Sequence, residues 1–193
     1  MQAERAAYRA WQAEARAGRV FCVDETGIAI GERIRYGYAR RGQPCVEVAP
    51  YRAGRRTNVV GFVASDGTGA VTIIEGHAVC RALFAHAMRA HLVPRLRPGD
   101  TVLWDNHTIH KDPALIAEIE GRGASVRWLP RYSPELNPAE WLWSWVKRRV
   151  RRAHADTTAA VRAALIEAAG AAHPCDLAGW VRHGGFRDQL QPV

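Results

Sequence analysis

Three acidic residues stand where carboxylates could meet on a metal ion. Asp105 closes the apolar run Val102-Leu103-Trp104, which reads as a buried strand, and the carboxyl ends of strands are where open α/β sheets keep their clefts. Glu140 follows 35 positions later in Tyr132-Ser133-Pro134-Glu135-Leu136-Asn137-Pro138-Ala139-Glu140. Asn137-Pro138 supplies a cap residue and a proline at the first helical position, so Glu140 falls in the first turn of a helix. Asp24 closes another apolar run, Arg19 to Val23, near the start. Hard oxygen ligands of this kind suit magnesium or manganese, and two such ions about 4 Å apart can clamp an in-line phosphoryl displacement. Calcium also accepts oxygen ligands, so the acids do not name the metal.

Each acid has a plainer explanation on its own. Asp24 could cap a turn, and its neighbour Glu25, pointing to the opposite face of the strand, could be the ligand instead. Asp105-Asn106 is a common turn pair. Glu140 could simply favour the helix dipole, which is worth only about 0.3–1 kcal/mol. Their joint occurrence favours the metal site. Asn106 is then expected to brace Asp105 by hydrogen bonding, and Asn137 to support Glu140 by capping its helix.

The elements needed to position these acids can be read from the pattern. A leading helix occupies residues 1–18, followed by a strand ending at Asp24 and continuing through Ile28 to Ile30. Further strands are expected at Ile34 to Tyr38, Asn58 to Ala64 and Ala70 to Ile74, the last two joined by the turn Asp66-Gly67-Thr68-Gly69. A helix over His77 to Leu92 stops before Pro94. Then come the Asp105 strand, a helix from Pro113 to Glu120, a strand from Ser125 to Leu129, and the Glu140 helix. Two more helices, Thr158 to Ala169 and Leu177 to Arg182, complete residues 153–193. Antiparallel strands followed by alternating helices and strands give a mixed α/β sheet flanked by helices.

The 193 residues suffice for one α/β domain, and a formal charge of +8 with a pI near 9.9 favours a polyanionic partner. Coding bias toward arginine would give the same excess. Cys22, Cys45, Cys80 and Cys175 form no zinc-type cluster and read as reduced, buried thiols. With neither a signal peptide nor a long apolar run, the expectation is a cytoplasmic protein without a membrane partner.

Projected at 100° per residue, the Glu140 helix carries Trp141, Leu142, Trp143, Trp145, Val146 and Val150 on one apolar arc. The tryptophans are therefore expected in the core. Glu140 heads the opposite stripe with Lys147, Arg148 and Arg151, a possible track for a phosphate backbone, though a solvated cationic face looks the same. Arg131 in the preceding loop, with His110 and Lys111 after the Asp105 strand, are further DNA-contact candidates. His110 could instead pair with an acid. Arginines 40, 41, 52, 55 and 56 could grip DNA or a second subunit.

Val23-Asp24-Glu25-Thr26-Gly27, Trp104-Asp105-Asn106-His107 through Lys111, and Leu129-Pro130-Arg131-Tyr132 through Glu140 together resemble the catalytic domain of DDE transposases. The likeness is strongest to the bacterial insertion-sequence branch of the mariner superfamily. It spans about residues 19 to 150 and includes Arg35-Tyr36-Gly37-Tyr38 through Pro44. The resemblance implies a ribonuclease H-like fold with the Asp24 strand central and the Asp105 strand beside it. It also implies that Asp24, Asp105 and Glu140 are the catalytic and metal-binding triad. Two magnesium ions, with manganese as an alternative, would support cleavage and strand transfer between transposon ends and target DNA, by a homodimer. Integration at a short T-A target is implied by resemblance alone.

Relatives carry helix-turn-helix domains ahead of the first catalytic strand, for which the 23 residues before Asp24 leave no room. The expectation is therefore a single catalytic domain, 1–193, with its core at 19–152, associated with the nucleoid when on DNA, for which a separately encoded helix-turn-helix subunit could supply end binding. A structure-selective nuclease or resolvase of the same fold, and a catalytically silent DNA-binding remnant, are the alternatives.

Overall fold

The computed structural model describes residues 2–14, 18–34, 36–48 and 56–186. Helix α1 (Gln2–Glu14) precedes the long strand β1 (Val20–Ala29), which is followed by the hairpin β2 (Arg56–Ala64) and β3 (Gly69–Ile74). Helix α2 (Arg81–His91) leads to strand β4 (Thr101–Trp104), then helix α3 (Pro113–Gly121) and strand β5 (Ser125–Trp128). Three helices follow: α4 (Ala139–Arg152), α5 (Thr158–Gly170) and α6 (Pro174–His183).

The five strands form one sheet in the order β3-β2-β1-β4-β5. β1 is central, antiparallel to β2 and parallel to β4. The alternation of side chains along β1 divides the core in two. Cys22 and Ile28 face α1, α4, α5 and α6, while Phe21 and Val23 face α2 and α3. Val20 to Val23 are buried on both faces, as expected for a central strand covered on two sides.

A strand over Ile34 to Tyr38 is not formed. Ile34 and residues 36–38 lie in an exposed connection, with Arg35 outside the described residues. Tyr36 and Tyr38 are fully solvent-facing, so this segment lacks the apolar face that a sheet position would bury. Arg40 and Arg41 share that exposed connection, whereas Arg52 and Arg55 lie outside the described residues. Helix α2 starts four residues later than expected, at Arg81. Of the cysteines only Cys22, pointing into the core from β1, is buried; Cys45, Cys80 and Cys175 are exposed and free. Among the described residues no helix is long and apolar enough to cross a membrane.

Away from the acids, Arg19 anchors the start of β1. Its guanidinium bonds to Asp100 Oδ2 at 2.7 Å and Asp66 Oδ2 at 2.8 Å, and donates to the Arg95 carbonyl at 2.7 Å. Arg19 and Asp100 are both buried, so the pair joins β1 to the turn before β4 inside the protein.

Candidate active site

The parallel register Cys22↔Leu103 sets the site. Asp24 and Asp105 lie two residues beyond these partners, on the same face, so Asp24, midway along β1, stands beside Asp105, just past the carboxyl end of β4. Helix α4 packs onto that face through Leu142, Trp143, Val146 and Val150. Its first turn brings Glu140 to the same opening. The result is a cleft of about 470 Å³ lined by Asp24, Asp105 and Glu140, with Lys111 and Arg131 among its cationic groups.

Asn137 makes this approach specific. It is 4% exposed, its Nδ2 donates to the Val23 carbonyl at 3.1 Å, and its Oδ1 accepts from the Ala139 amide at 3.2 Å. One side chain thus ties the start of α4 to the residue before Asp24. Its extended backbone (φ −98, ψ 107), followed by helical Pro138 (φ −57, ψ −21), matches the expected cap and first helical position.

Each strand acid receives a hydrogen bond from a buried aromatic or imidazole ring. Asp24 Oδ2 accepts from the Trp143 indole N–H at 3.0 Å. Asp105 Oδ1 accepts from the His107 amide and from His110 Nδ1, both at 2.8 Å. The His110 ring is wholly buried, and its Nε2 reaches Glu25 Oε2 at 2.9 Å. Glu25 therefore faces away from Asp24 and serves as the far support of the histidine holding Asp105.

The ionisation of these groups follows from the packing. Burial, reinforced by the nearby Glu25 and Glu140 carboxylates, pushes Asp24 up to about 7 despite the Trp143 bond. Burial also disfavours ionised Asp105, but the bonds from His110 and the His107 amide outweigh it and lower its pKa. Burial of His110 works against its charge, yet Asp105 and Glu25 on its two nitrogens push it up to about 9. His110 is thus a buried cation between two carboxylates.

Several expected contacts take other roles. His110 is no phosphate contact, because both ring nitrogens are engaged beneath the cleft. Asn106 donates to the Leu129 carbonyl at 2.7 Å, bracing the end of β5 rather than the Asp105 carboxylate. Lys147, Arg148 and Arg151 lie farther along α4 and do not line the cleft. Arg151 is ion-paired with Glu32 at 3.2 Å. Trp141 is 45% exposed against the edge of His183 instead of in the core, because its position on α4 turns it from the sheet toward α6. Sequence reasoning missed Trp143 as the donor to Asp24, a bond that spans 119 positions and leaves no local mark. Among the described residues, no three His, Cys, Asp or Glu side chains stand ready-clustered for a metal.

The DDE superfamily endonuclease family matches residues 19–162. An insertion element IS630 uncharacterized 39 kDa protein of Shigella sonnei is 30% identical over 137 residues, covering 70% of this chain and 39% of that protein. The Mos1 transposase paired-end complex with left transposon end superimposes with a TM-score of 0.65 at 20% identity, over 96% of this chain and 61% of that one. The catalytic domain of Mos1 mariner transposase gives 0.62 at 15% identity, over 93% and 83%. These likenesses establish the ribonuclease H-like fold, and the chain spans 39% and 61% of the first two relatives, less than two thirds of either. The matched segment encloses Asp24, Asp105 and Glu140, and with most of its length accounted for the chain belongs to the DDE superfamily endonucleases.

Proposed function

We propose that this chain is the catalytic domain of a DNA transposase, with Asp24, Asp105 and Glu140 performing metal-dependent strand cleavage and strand transfer. The convergence of three acids from β1, β4 and α4 on one cleft carries this reading. Burial and the neighbouring Glu25 and Glu140 carboxylates raise Asp24 to about 7, and a cation bound at the cleft would favour its ionised form. That donor set fits a divalent cation with hard-oxygen preference, magnesium or manganese. When bound, such ions supply charge stabilisation to the attacking and leaving oxygens of an in-line displacement.

The protein's own groups orient and screen. Trp143 and His110 each occupy one oxygen of a strand acid and thereby fix the direction in which its other oxygen points. Lys111 and Arg131 supply cationic groups at the cleft for the flanking phosphates. The formal charge of +8 supports DNA as partner, as does the likeness to Mos1 complexes solved with a transposon end.

The test uses nicked and pre-cut duplexes with magnesium. Asp24→Asn, Asp105→Asn and Glu140→Gln should each abolish cleavage and joining. Unchanged cleavage in any of the three removes that acid from the site. Cleavage by the unsubstituted chain without joining of pre-cut ends would replace the transposase reading by a nuclease.

A further inference from the structure

Tyr132 has a backbone that its side chain disfavours. Its φ is 54, in the left-handed region that bulky residues rarely adopt. Among the described residues one other non-glycine has positive φ, His154, and it lies just beyond α4, where left-handed residues terminate helices. Tyr132 ends no helix. It sits in the loop between β5 and α4 and lines the same cleft as the three acids, with its side chain 84% exposed.

The strain is maintained from outside the loop. Arg5, on α1, donates from Nη2 to the Tyr132 carbonyl and from Nε to Ser133 Oγ, both at 2.9 Å, and pairs with Glu135 at 3.0 Å. Ser133 is buried and donates in turn to the Arg131 carbonyl at 3.2 Å. Strained backbone of this kind persists where its surroundings over-determine it. Here the surroundings hold the main chain and leave the ring in solvent. Helix α1 lies before the segment matched by the family, 19–162.

We infer that Tyr132 is a stacking surface for a DNA base at the cleft and that Arg5 is the positioning residue that holds it there. This rests on the proposed function. An exposed ring face accepts any base, and the adjacent Arg131 with Lys111 places positive charge where the phosphates on either side would run.

The full chain is titrated with a nicked duplex carrying the fluorescent base 2-aminopurine beside the nick. Unsubstituted protein and Tyr132→Phe should quench it. Tyr132→Asn, whose side chain suits the left-handed backbone, should lose the quench and bind about fivefold to about 150-fold more weakly, the range set by one base–aromatic stack. Its melting temperature should be equal or higher, which a merely structural tyrosine would not give. Arg5→Ala should lose the quench as well. Quenching and affinity unchanged in Tyr132→Asn would overturn the inference, as would a weaker affinity accompanied by a lower melting temperature. No binding by the unsubstituted chain would overturn the proposed function beneath it.

Discussion

Trp143 donates its indole N–H to Asp24 Oδ2 at 3.0 Å while standing one helical turn after Glu140 on α4. The helix that delivers one acid therefore also orients another. Trp143→Phe keeps most of the packing and removes the bond. Groups that orient metal ligands typically account for about 10–100-fold in metal affinity or activity, and a loss of that size is expected in calorimetric titration with manganese. An unchanged affinity would reduce Trp143 to a packing residue.

Gly61 lies opposite Asp24 in the β1–β2 register. A Cβ there would come within 2.7 Å of the Ala70 carbonyl oxygen and 3.0 Å of Trp143 Cη2. Gly61→Ala should cost about 1–3 kcal/mol in urea unfolding by overpacking. It should also lower manganese affinity in the same direction as Trp143→Phe. Full affinity would mean that the indole can yield without moving Asp24.

Asp24 is itself a stability liability. Its raised pKa means that stability falls as pH rises from about 4 to about 7 and that the whole cost of the buried charge is present above this. In chelator buffer near pH 8, Asp24→Asn should therefore unfold at higher temperature than the unsubstituted chain, by a difference on the order of 1–3 kcal/mol. Thermal melts that place the asparagine variant lower would contradict this.

At the other end of β1, Arg19→Met would leave the buried Asp100 carboxylate without its ion-pair partner. Breaking a buried pair from one side costs about 3–5 kcal/mol. Chemical denaturation should show that loss with cleavage chemistry retained in the folded fraction. A loss below about 1 kcal/mol would mark the pair as no stronger than a surface contact.

Asp66 gives a pH dependence of its own. Burial disfavours its charge, but bonds from Arg19 and Thr68 more than offset this and hold its pKa below the usual carboxylate value. A lowered folded pKa stabilises the protein at pH above about 4 and is lost as pH falls through the folded value. Urea midpoints for the unsubstituted chain and Asp66→Asn should therefore converge below about pH 4. A constant gap down to pH 2 would exclude this origin.

The acids, their elements and the sheet were legible because each leaves a local mark. Apolar runs ended at Asp24 and Asp105, and Asn137-Pro138 announced a helix start. The supports of those acids were not legible, because they are long-range. Nothing near Asp24 points to Trp143, 119 positions away, and nothing near His110 points to Glu25, 85 positions earlier. A histidine beside a lysine after a strand reads as a surface cation until its burial is known. Trp141 and Trp143 share one residue type, yet only packing against Gly61 and the sheet distinguishes the buried one.

The separation of Asp24 from Trp143 also orders events during synthesis. A ribosome making this chain releases β1 and β2 early, and they can pair at once as neighbours in sequence. Asp24 gains its indole partner only after α4 has emerged, and Glu140 arrives on that same helix. An interrupted product ending before α4 therefore holds Asp24 without its indole partner and lacks Glu140 altogether.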